Sequence, residues 1–201
     1  MKQLLSALRN FKTNQSGNGP IELCLVVPIM IWALLSTFVY FDAYRAEAKS
    51  NRAGLTVADM ISREKSSVDA TYITAMQSLL RVLSETSTMP RIRVTAYSWD
   101  QPGGRYVVRW SHNRGFGDNL DTAKLLPLVN QLPIMADGAR SILVETEVDY
   151  VAPFSMGIGP FSDTNLNPIA LRTFTVISPR FMPAVCYDPT LANPTSGDEL
   201  C

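Results

Sequence analysis

The chain has 201 residues, of which 46% are apolar and 18% are charged. Since an average soluble domain has about 25% charged residues, part of this chain is expected to lie outside water. The 18 basic residues equal the 18 acidic ones, so the chain lacks the positive field that holds a nucleic-acid backbone, and we expect no nucleic-acid partner. Three cysteines are too few for a miniprotein built on disulfide bonds.

The excess apolar character is concentrated in one run, from Leu23 to Phe41, which contains no charged residue. A helix of this length, at about 1.5 Å per residue, covers a hydrocarbon core of about 30 Å. No second run of this kind occurs in the sequence, so we predict a single membrane span. A cleavable secretory signal is the alternative, and Ala46-Glu47-Ala48 resembles its cleavage pattern, but the run is longer than the apolar core of such a signal.

The charges on the two sides of this run predict its orientation. No acid precedes Glu22, and the bases before the run keep the N-terminus in the cytoplasm by the positive-inside rule. The bases after the run oppose this only weakly, because a long following domain translocates largely regardless of its charge. We therefore expect the residues after Asp42 to lie outside the cytoplasm. The bases before the run are Lys2, Arg9 and Lys12, and those after it are Arg45, Lys49 and Arg52.

The junction ahead of the run combines flexible residues with an acid. Gly17 and Gly19 keep the backbone open, so that a protease can bind it as an extended strand. Pro20 fits the first turn of the following helix, where its missing N–H does no harm. A carboxylate such as Glu22 at the start of a span is costly unless it finds a partner or reaches the interface. Cleavage after Gly17 would make Asn18 the N-terminus and put Glu22 at the fifth mature position.

The N-terminal part of the chain, from about Phe11 to Glu64, carries a recognisable set of residues. The set consists of Gly17, Glu22, Leu25, Pro28 and the segment Val57–Glu64. With these residues the segment resembles the TadE/TadG-like proteins of the tight-adherence (Flp/Tad) pilus, a branch of the type IV pilin superfamily. The resemblance implies a pilin-like fold, processing by a prepilin peptidase of the bacterial inner membrane, and assembly with other pilin-like subunits on an inner-membrane platform.

Two features of the chain depart from this family. Leu23 stands where the family often has Phe, and Cys24 is unusual at its position, but neither residue touches the cleavage site. Larger relatives carry a von Willebrand-type metal-binding domain, whose Asp-x-Ser-x-Ser pattern is absent from this sequence. We therefore carry over no metal site and expect no cofactor.

Glu22 has a physical role that follows from the cleavage. The freed α-amino group of Asn18 is cationic at neutral pH and can approach Glu22 of a neighbouring helix or of its own chain. Since desolvation of both ions offsets much of their attraction, the pair sets register and choice of partner more than stability. In a plain membrane anchor, Glu22 instead lies hydrated in the headgroup layer. Pro28 removes one intrahelical hydrogen bond, which either helps neighbouring helices to pack or is a tolerated kink.

Past the run, the helix is predicted to continue through residues 42–66 and to dock one narrow face on the domain that follows. Gly54 interrupts the pattern and is expected to mark a bend. A second helix follows, with Ser67 or Asp69 as its N-cap. Its apolar stripe is expected to enter the core, a partner groove being the alternative. The docking face consists of Ala46, Ala53, Val57 and Met60/Ile61, and the stripe of Ile73, Met76, Leu79, Leu80 and Leu83.

The periodicity then changes to two residues, which is typical of strands. Strands predicted at 91–99 and 106–111 are joined by a hairpin loop, and a weak helical or loop region at 118–132 separates them from strands at 141–151 and 170–177. Helices followed by antiparallel strands indicate an α+β, pilin-like fold, in which the helices pack on a sheet of about four strands. The predicted organisation is a basic leader (1–17), the start of the transmembrane helix (18–41), its periplasmic continuation (42–66) and a periplasmic α+β domain (67–201).

Two surfaces of this domain are candidates for contacts with partners. The strand at 141–151 carries Glu145, Glu147 and Asp149 on one face, which predicts that this face is exposed to solvent or to a partner. The loop from 153 to 168 is long and has exposed apolar residues, which favours contact with another subunit or with a membrane surface. The alternative is a loop folded over the edge of the sheet. The proposed contact residues of the loop are Phe154, Met156, Ile158 and Phe161.

The cysteines separate by compartment. Cys24 lies in the apolar run and is expected to behave as a small hydrophobe. Cys186 and Cys201 lie in an oxidising space that permits disulfides. A bond that closes a loop of about 15 residues stabilises a domain by about 3 kcal/mol in the chain-entropy model. Because the last segment is acidic, contains prolines and would otherwise fray, we predict a bond between Cys186 and Cys201.

An enzyme is the remaining class of function. His112 is the only histidine, and no Gly-x-Ser-x-Gly, His-Glu-x-x-His, Cys-x-x-Cys or phosphate-binding loop accompanies it. We therefore predict no catalytic residue and no small-molecule substrate. The leading hypothesis is a processed minor pilin or pilus-assembly subunit. An uncleaved membrane-anchored periplasmic domain that binds other envelope proteins comes second, and an anchored hydrolase third.

Overall fold

The computed structural model describes residues 18–155, 157, 167–189 and 200–201. The fold class is α+β, as the sequence predicts, with a long N-terminal helix, a shorter helix and a four-stranded antiparallel sheet. In chain order, the elements are α1 (Asn18–Ser62), α2 (Ala70–Ser84), β1 (Arg91–Asp100), β2 (Arg105–Arg114), α3 (Thr122–Leu125), a 3₁₀ helix (Leu126–Gln131), β3 (Arg140–Tyr150) and β4 (Ile169–Ile177).

The chain divides into two compact units. Of the described residues, the first comprises 18–42, 153–155 and 157, and the second comprises 43–152, 167–189 and 200–201. Helix α1 contributes its residues up to Asp42 to the first unit and its remaining residues to the second. The second unit therefore contains the whole sheet, α2 and α3.

The sheet has the strand order β2-β1-β3-β4. Strands β1 and β2 form a hairpin through a turn at residues 101–104, and their register shifts between Ala96 and Tyr97, where β2 has a bulge. Strand β4 pairs with β3 along its whole length without any shift. In this order β2 and β4 are the two edges of the sheet.

The main core lies between the helices and one face of the sheet. Alternate residues of β1 and β3 point to this face, as the two-residue period of a strand requires, and join buried residues of both helices. The docking face predicted for α1 is confirmed at Ala53, Val57 and Ile61, which are buried at helical spacing, whereas Ala46 is half-buried and Met60 is exposed. The core includes Ala53, Val57 and Ile61 from α1, Ile73, Met76 and Leu80 from α2, Ile92 and Val94 from β1, and Ile142 and Val144 from β3.

The opposite face of the sheet carries a second, smaller core. The segment between β2 and β3, which includes α3 and the 3₁₀ helix, packs against this face. Asp121 starts α3 by accepting a hydrogen bond from the backbone N–H of Lys124 at 2.8 Å. The buried residues of this core are Tyr97, Tyr106, Leu120, Leu125, Leu132 and Leu143.

Helix α2 begins and ends with identifiable caps. Asp69, one of the two predicted N-caps, accepts a hydrogen bond from the backbone N–H of Tyr72 at 2.6 Å. Burial alone would raise the pKa of Asp69, but the N–H groups of Tyr72 and Thr71 favour its charged form and lower the pKa. Glu85 ends the helix in the left-handed conformation, with φ of 54°.

Three details of the helices differ from the predictions. Helix α1 ends at Ser62, before residue 66, and Gly54 does not interrupt it. Gly54 instead lets the helix approach the sheet, because a Cβ at this position would lie only 3.1 Å from Cγ2 of Thr173. Leu83, the last member of the predicted stripe of α2, is exposed. Helical spacing alone therefore overestimates the length of the buried stripe.

Candidate functional site

The N-terminal half of α1 presents a largely exposed apolar surface. Within the described part of the chain, α1 is the one helix long and apolar enough to cross a membrane, and only 6% of its apolar window is buried. Hydrocarbon would solvate these side chains, and the backbone of a helix satisfies its own hydrogen bonds. The exposed apolar residues include Leu23, Leu25, Ile29, Leu34, Phe38 and Phe41.

The predicted processing and assembly residues lie at the start of this helix. The leader and Gly17 fall outside the described residues. Asn18 is already helical, so Asn18 and Glu22 occupy positions i and i+4, one turn apart on the same side of the helix. Glu22 is exposed and therefore accessible to a partner. Pro28 lies inside the helix, which continues past it although the proline lacks the N–H of an ordinary helical residue.

Only part of the predicted contact loop is described. Met156, Ile158 and Phe161 lie outside the described residues. Phe154 is half-buried, and its ring stacks on that of Phe38 with centroids 6.4 Å apart and planes 9° from parallel. Part of the Phe154 surface is therefore engaged within the first unit, and contact of this loop with a partner stays a prediction.

The C-terminal half of α1 is attached to the second unit by polar contacts as well as by its apolar face. The hydroxyl of Thr173 donates a hydrogen bond to Oδ1 of Asn51 at 3.0 Å. The ammonium group of Lys49 pairs with the carboxylate of Glu85 at the end of α2, and this hydrogen bond holds the pKa of Glu85 below its usual value. Because Glu85 is exposed, the pair fixes geometry more than it adds stability.

A disulfide bond fastens the C-terminal segment. Cys186 and Cys201, the predicted pair, are bonded, with Cα atoms 4.6 Å apart. The backbone of Tyr187 exchanges two hydrogen bonds with that of Leu200, at 2.8 and 2.9 Å. The N–H of Val68 donates to the carbonyl of Cys186 at 2.9 Å, which ties the segment to the linker between α1 and α2.

Side chains of β2 complete this attachment. The indole N–H of Trp110 donates to the carbonyl of Val185 at 2.8 Å, and the Trp110 ring lies against Tyr187. Nδ1 of His112 lies 3.1 Å from the hydroxyl of Tyr187, and the two rings stack. Burial, together with the charge of Arg114, lowers the pKa of His112, so the imidazole is neutral at neutral pH.

The second ring nitrogen of His112 is enclosed. Its Nε2 is buried, without a hydrogen-bond partner among the described residues. The described ranges also contain no group of three or more His, Cys, Asp or Glu residues that could hold a metal.

The acidic face of β3 is covered by arginines. Glu147 is only 3% exposed and is bridged by Nη1 of Arg91 at 2.6 Å and by Nε of Arg172 at 2.8 Å. Nη2 of Arg91 also donates to Asp149 at 2.7 Å. The prediction that this face is open to solvent or to a partner is therefore wrong at Glu147, because arginines of the two neighbouring strands neutralise and bury it.

Glu145 belongs to the same polar network. Nε and Nη2 of Arg93 donate to its two carboxylate oxygens at 2.7 and 2.8 Å, the bidentate geometry of strong ion pairs. Nη1 of Arg93 donates to the carbonyl of Asp118 at 3.2 Å, and the guanidinium lies over the ring of Phe116. The network therefore also holds the segment that follows β2.

Sequence reasoning missed this network, although its signal was present. Arg91 and Arg93 alternate on β1 with the same two-residue period as the acids of β3. Antiparallel pairing places Arg91 opposite Glu147 and Arg93 opposite Glu145. The pattern of β3 by itself does not reveal these pairs, because the identity of the neighbouring strand is a property of the tertiary structure.

An open cleft lies beside the network, on the face of the sheet that carries the second core. Its polar groups are mostly the paired arginines and acids, so it offers little uncompensated charge to a ligand. The lining residues include Arg91, Arg93, Phe116, Leu128, Arg172 and Phe174.

No protein-family model matches this sequence, and no curated protein or solved structure is significantly similar to it. Two features of the described chain then bear on function. They are a helix suited to a bilayer and an α+β unit docked on the C-terminal half of that helix.

Proposed function

We propose that this protein is a pilin-like subunit, a minor pilin or pseudopilin, that is needed to assemble a tight-adherence pilus of the type IV kind. A prepilin peptidase removes residues 1–17. The N-terminus faces the cytoplasm, α1 crosses the bacterial inner membrane, and the α+β domain lies in the periplasm. The partners are the peptidase, other pilin-like subunits and the inner-membrane assembly platform. No catalytic role, cofactor or small-molecule substrate is assigned to the chain.

The observation that carries this proposal is the contrast between the two halves of α1. The N-terminal half exposes its apolar side chains, whereas the C-terminal half packs Ala53, Val57 and Ile61 against the sheet domain. Such a helix can hold its domain at a membrane surface and can also pack with copies or relatives of itself through the apolar half. The spacing of Gly17 and Glu22 ahead of that half supports processing at this point.

Cleavage would place a new charge next to an acid. The α-amino group of Asn18 would lie at the start of the helix, one turn from Glu22 of the same chain. An amine with a reference pKa of about 7.7–8.0 is largely cationic at neutral pH. In a bundle, the same amine can instead meet Glu22 of a neighbouring subunit, which would fix the stagger between helices.

The proposal is tested by determining the N-terminus of the membrane-bound protein in cells with and without an active prepilin peptidase. We expect Asn18 as the first residue only where the peptidase is active. Retention of Met1 in both strains would contradict processing and would leave a plain membrane-anchored interaction domain. Co-sedimentation of the mature chain with a sheared pilus fraction then tests assembly.

Two glycines of the junction provide a matched pair of variants. Gly17→Val is expected to block cleavage, because it fills the position next to the scissile bond. Gly19→Val should be cleaved, because Gly19 does not adjoin the scissile bond, and a Cβ there meets no atom of this chain within 4 Å. Glu22→Gln should be cleaved but should fail to enter the pilus fraction. Normal assembly of the Glu22→Gln chain would contradict the role proposed for the carboxylate.

A further inference from the structure

The two edges of the sheet differ in how they are protected against pairing with another strand. Edge strand β2 has a bulge opposite β1, and the N–H of Val108 donates to the hydroxyl of Thr122 at 3.1 Å. Bulges, charged side chains and covering loops are the usual devices that keep an edge from adding a strand. The charged residues of β2 are Arg105, Arg109 and Arg114.

Edge strand β4 has no bulge, and it carries a single charged residue. All nine of its residues pair with β3 in one unbroken register. Its sequence contains no Pro, Gly or Lys, and Arg172 is its only charged residue. Among the described residues, no strand pairs with its outer side. Alternate N–H and C=O groups of β4 therefore point away from β3, and such a row is a template for an added strand.

Arg172 indicates the chemistry of the strand that would fit there. Its side chain is 76% exposed, and its Nε donates to Glu147. Its two Nη groups have no partner in the described part of the chain. The other two arginines at the cleft are different, because Arg91 and Arg93 use both Nη groups within the fold. Arg172 is thus the one guanidinium of the network with donors left for a second carboxylate.

Strand β3 already pairs with the inner side of β4 and offers a carboxylate to Arg172. On the inner side, β3 places Glu147 opposite Arg172, with Leu143 opposite Val176 on the same face. Phe174 and Val176 are half-buried, so a strand on the outer side would extend this face with apolar contacts. A partner strand with a carboxylate opposite Arg172 and an apolar residue opposite Val176 would repeat the existing pattern.

We propose that the outer edge of β4 binds an extended, acidic strand of another polypeptide by β-strand addition. The added strand pairs its backbone with the outward N–H and C=O groups of β4, and its carboxylate accepts hydrogen bonds from the Nη groups of Arg172. The backbone pairing supplies affinity and the arginine supplies selectivity. This binding is independent of cleavage at Gly17, so it can stand or fail separately from the pilin assignment.

The test uses the full chain in detergent micelles and a synthetic peptide with the sequence of residues 140–150, which is the β3 pattern. Hydrogen exchange is measured along β4 with and without the peptide, and affinity is measured by fluorescence anisotropy of the labelled peptide. We expect protection of alternate amides of β4. We also expect binding about tenfold weaker for a peptide that carries Gln in place of the residue corresponding to Glu147.

The protein variants separate the arginine from the general charge of the sheet edges. Arg172→Gln should weaken peptide binding about tenfold, and Arg172→Lys should weaken it less because it keeps the charge. Arg105→Gln on the other edge is the matched control, since its side chain is also exposed, and it should bind as the unchanged protein does. Thermal unfolding of each variant checks that the fold is intact.

Four results would overturn the proposal. The first is the absence of protection at β4. The second is equal affinity of Arg172→Gln and Arg105→Gln for the peptide. The third is loss of protection in β3, which would mean that the peptide replaces β3 instead of adding to the edge. The fourth is protection of β4 by self-association without peptide, which would make a second copy of the chain the occupant.

Discussion

Glu147 is expected to be the most costly side chain to change among the acids of β3. It is 3% exposed and forms ion pairs with two guanidinium groups, those of Arg91 and Arg172, and Nε of Arg172 also donates a hydrogen bond to it. The variant Glu147→Gln keeps the size of the side chain but removes its charge. Its amide NH₂ would point at one of the two guanidinium groups, so that a donor would face a donor.

The expected loss in the free energy of unfolding follows from how deeply the paired residues are buried. Breaking a buried ion pair by removing one member costs about 3–5 kcal/mol. The loss should fall at the lower end, about 3 kcal/mol, because Arg172 is 76% exposed and can turn to water while Arg91 keeps Asp149. For a chain of this size, each kcal/mol lowers the unfolding midpoint by about 2–4 °C, so the expected shift is about 6–12 °C.

Thermal unfolding of the full chain in detergent, followed by near-ultraviolet circular dichroism, measures this shift. Glu85→Gln is the control, because Glu85 belongs to an exposed pair with Lys49 and should leave the midpoint unchanged. In the double variant with Arg172→Gln, the loss should be smaller than the sum of the single losses. Equal midpoints for Glu147→Gln and Glu85→Gln would refute the reasoning that the buried pairs stabilise the sheet.

Three further predictions concern the rest of the second unit. Replacing both Cys186 and Cys201 by Ser should lower the free energy of unfolding in urea by about 3 kcal/mol, the chain-entropy value for a loop of this length. Gly54→Val should lower the free energy of unfolding by about 1–3 kcal/mol, because a Cβ added there would lie only 3.1 Å from Cγ2 of Thr173. The pKa of His112 is lower in the folded chain than in the unfolded one. The contribution of His112 to the free energy of unfolding should therefore be full above about pH 6.5 and be lost as the pH falls below that value. Thermal unfolding midpoints measured across this pH range test it.

Each of these predictions has its own control. The cysteine variant is compared with the oxidised protein, and equal migration of reduced and oxidised forms with both thiols open to alkylation would contradict the bond. Gly117→Val should leave stability unchanged, because a side chain at Gly117 meets nothing within 4 Å, and an equal loss at Gly54 and Gly117 would argue against close packing of α1. His112→Gln should remove part of the pH dependence, and an unchanged pH profile would show that another group causes it.

Local signals in the sequence were sufficient for most secondary structure. The change from a period of about 3.6 residues to a period of two marks the boundary between helices and strands. Asp69 could be named as a cap because the N–H groups of a first helical turn need an acceptor nearby in sequence. The bond between Cys186 and Cys201 could be named because the two residues are the only cysteines beyond the apolar run.

Contacts between distant segments were not accessible in the same way. The alternation of acids with apolar residues in its strand predicts Glu147 on an open face, yet it is buried between Arg91 and Arg172. Gly54 was predicted to bend the helix, but it allows the helix to lie close to Thr173. Both predictions depended on which segments become neighbours, and strand order carries no local signature in the sequence.

The sequence by itself determined the α+β class, the apolar length that matches a bilayer, and the positions of caps and cysteines, because each depends on residues close together in the chain. Only the tertiary structure decided that β4 is a sheet edge with an arginine whose Nη donors have no partner among the described residues, and that Glu147 is neutralised from both neighbouring strands. The physical reason is that the strength of an ion pair, and the protection of an edge, depend on burial and on neighbours that folding alone brings together.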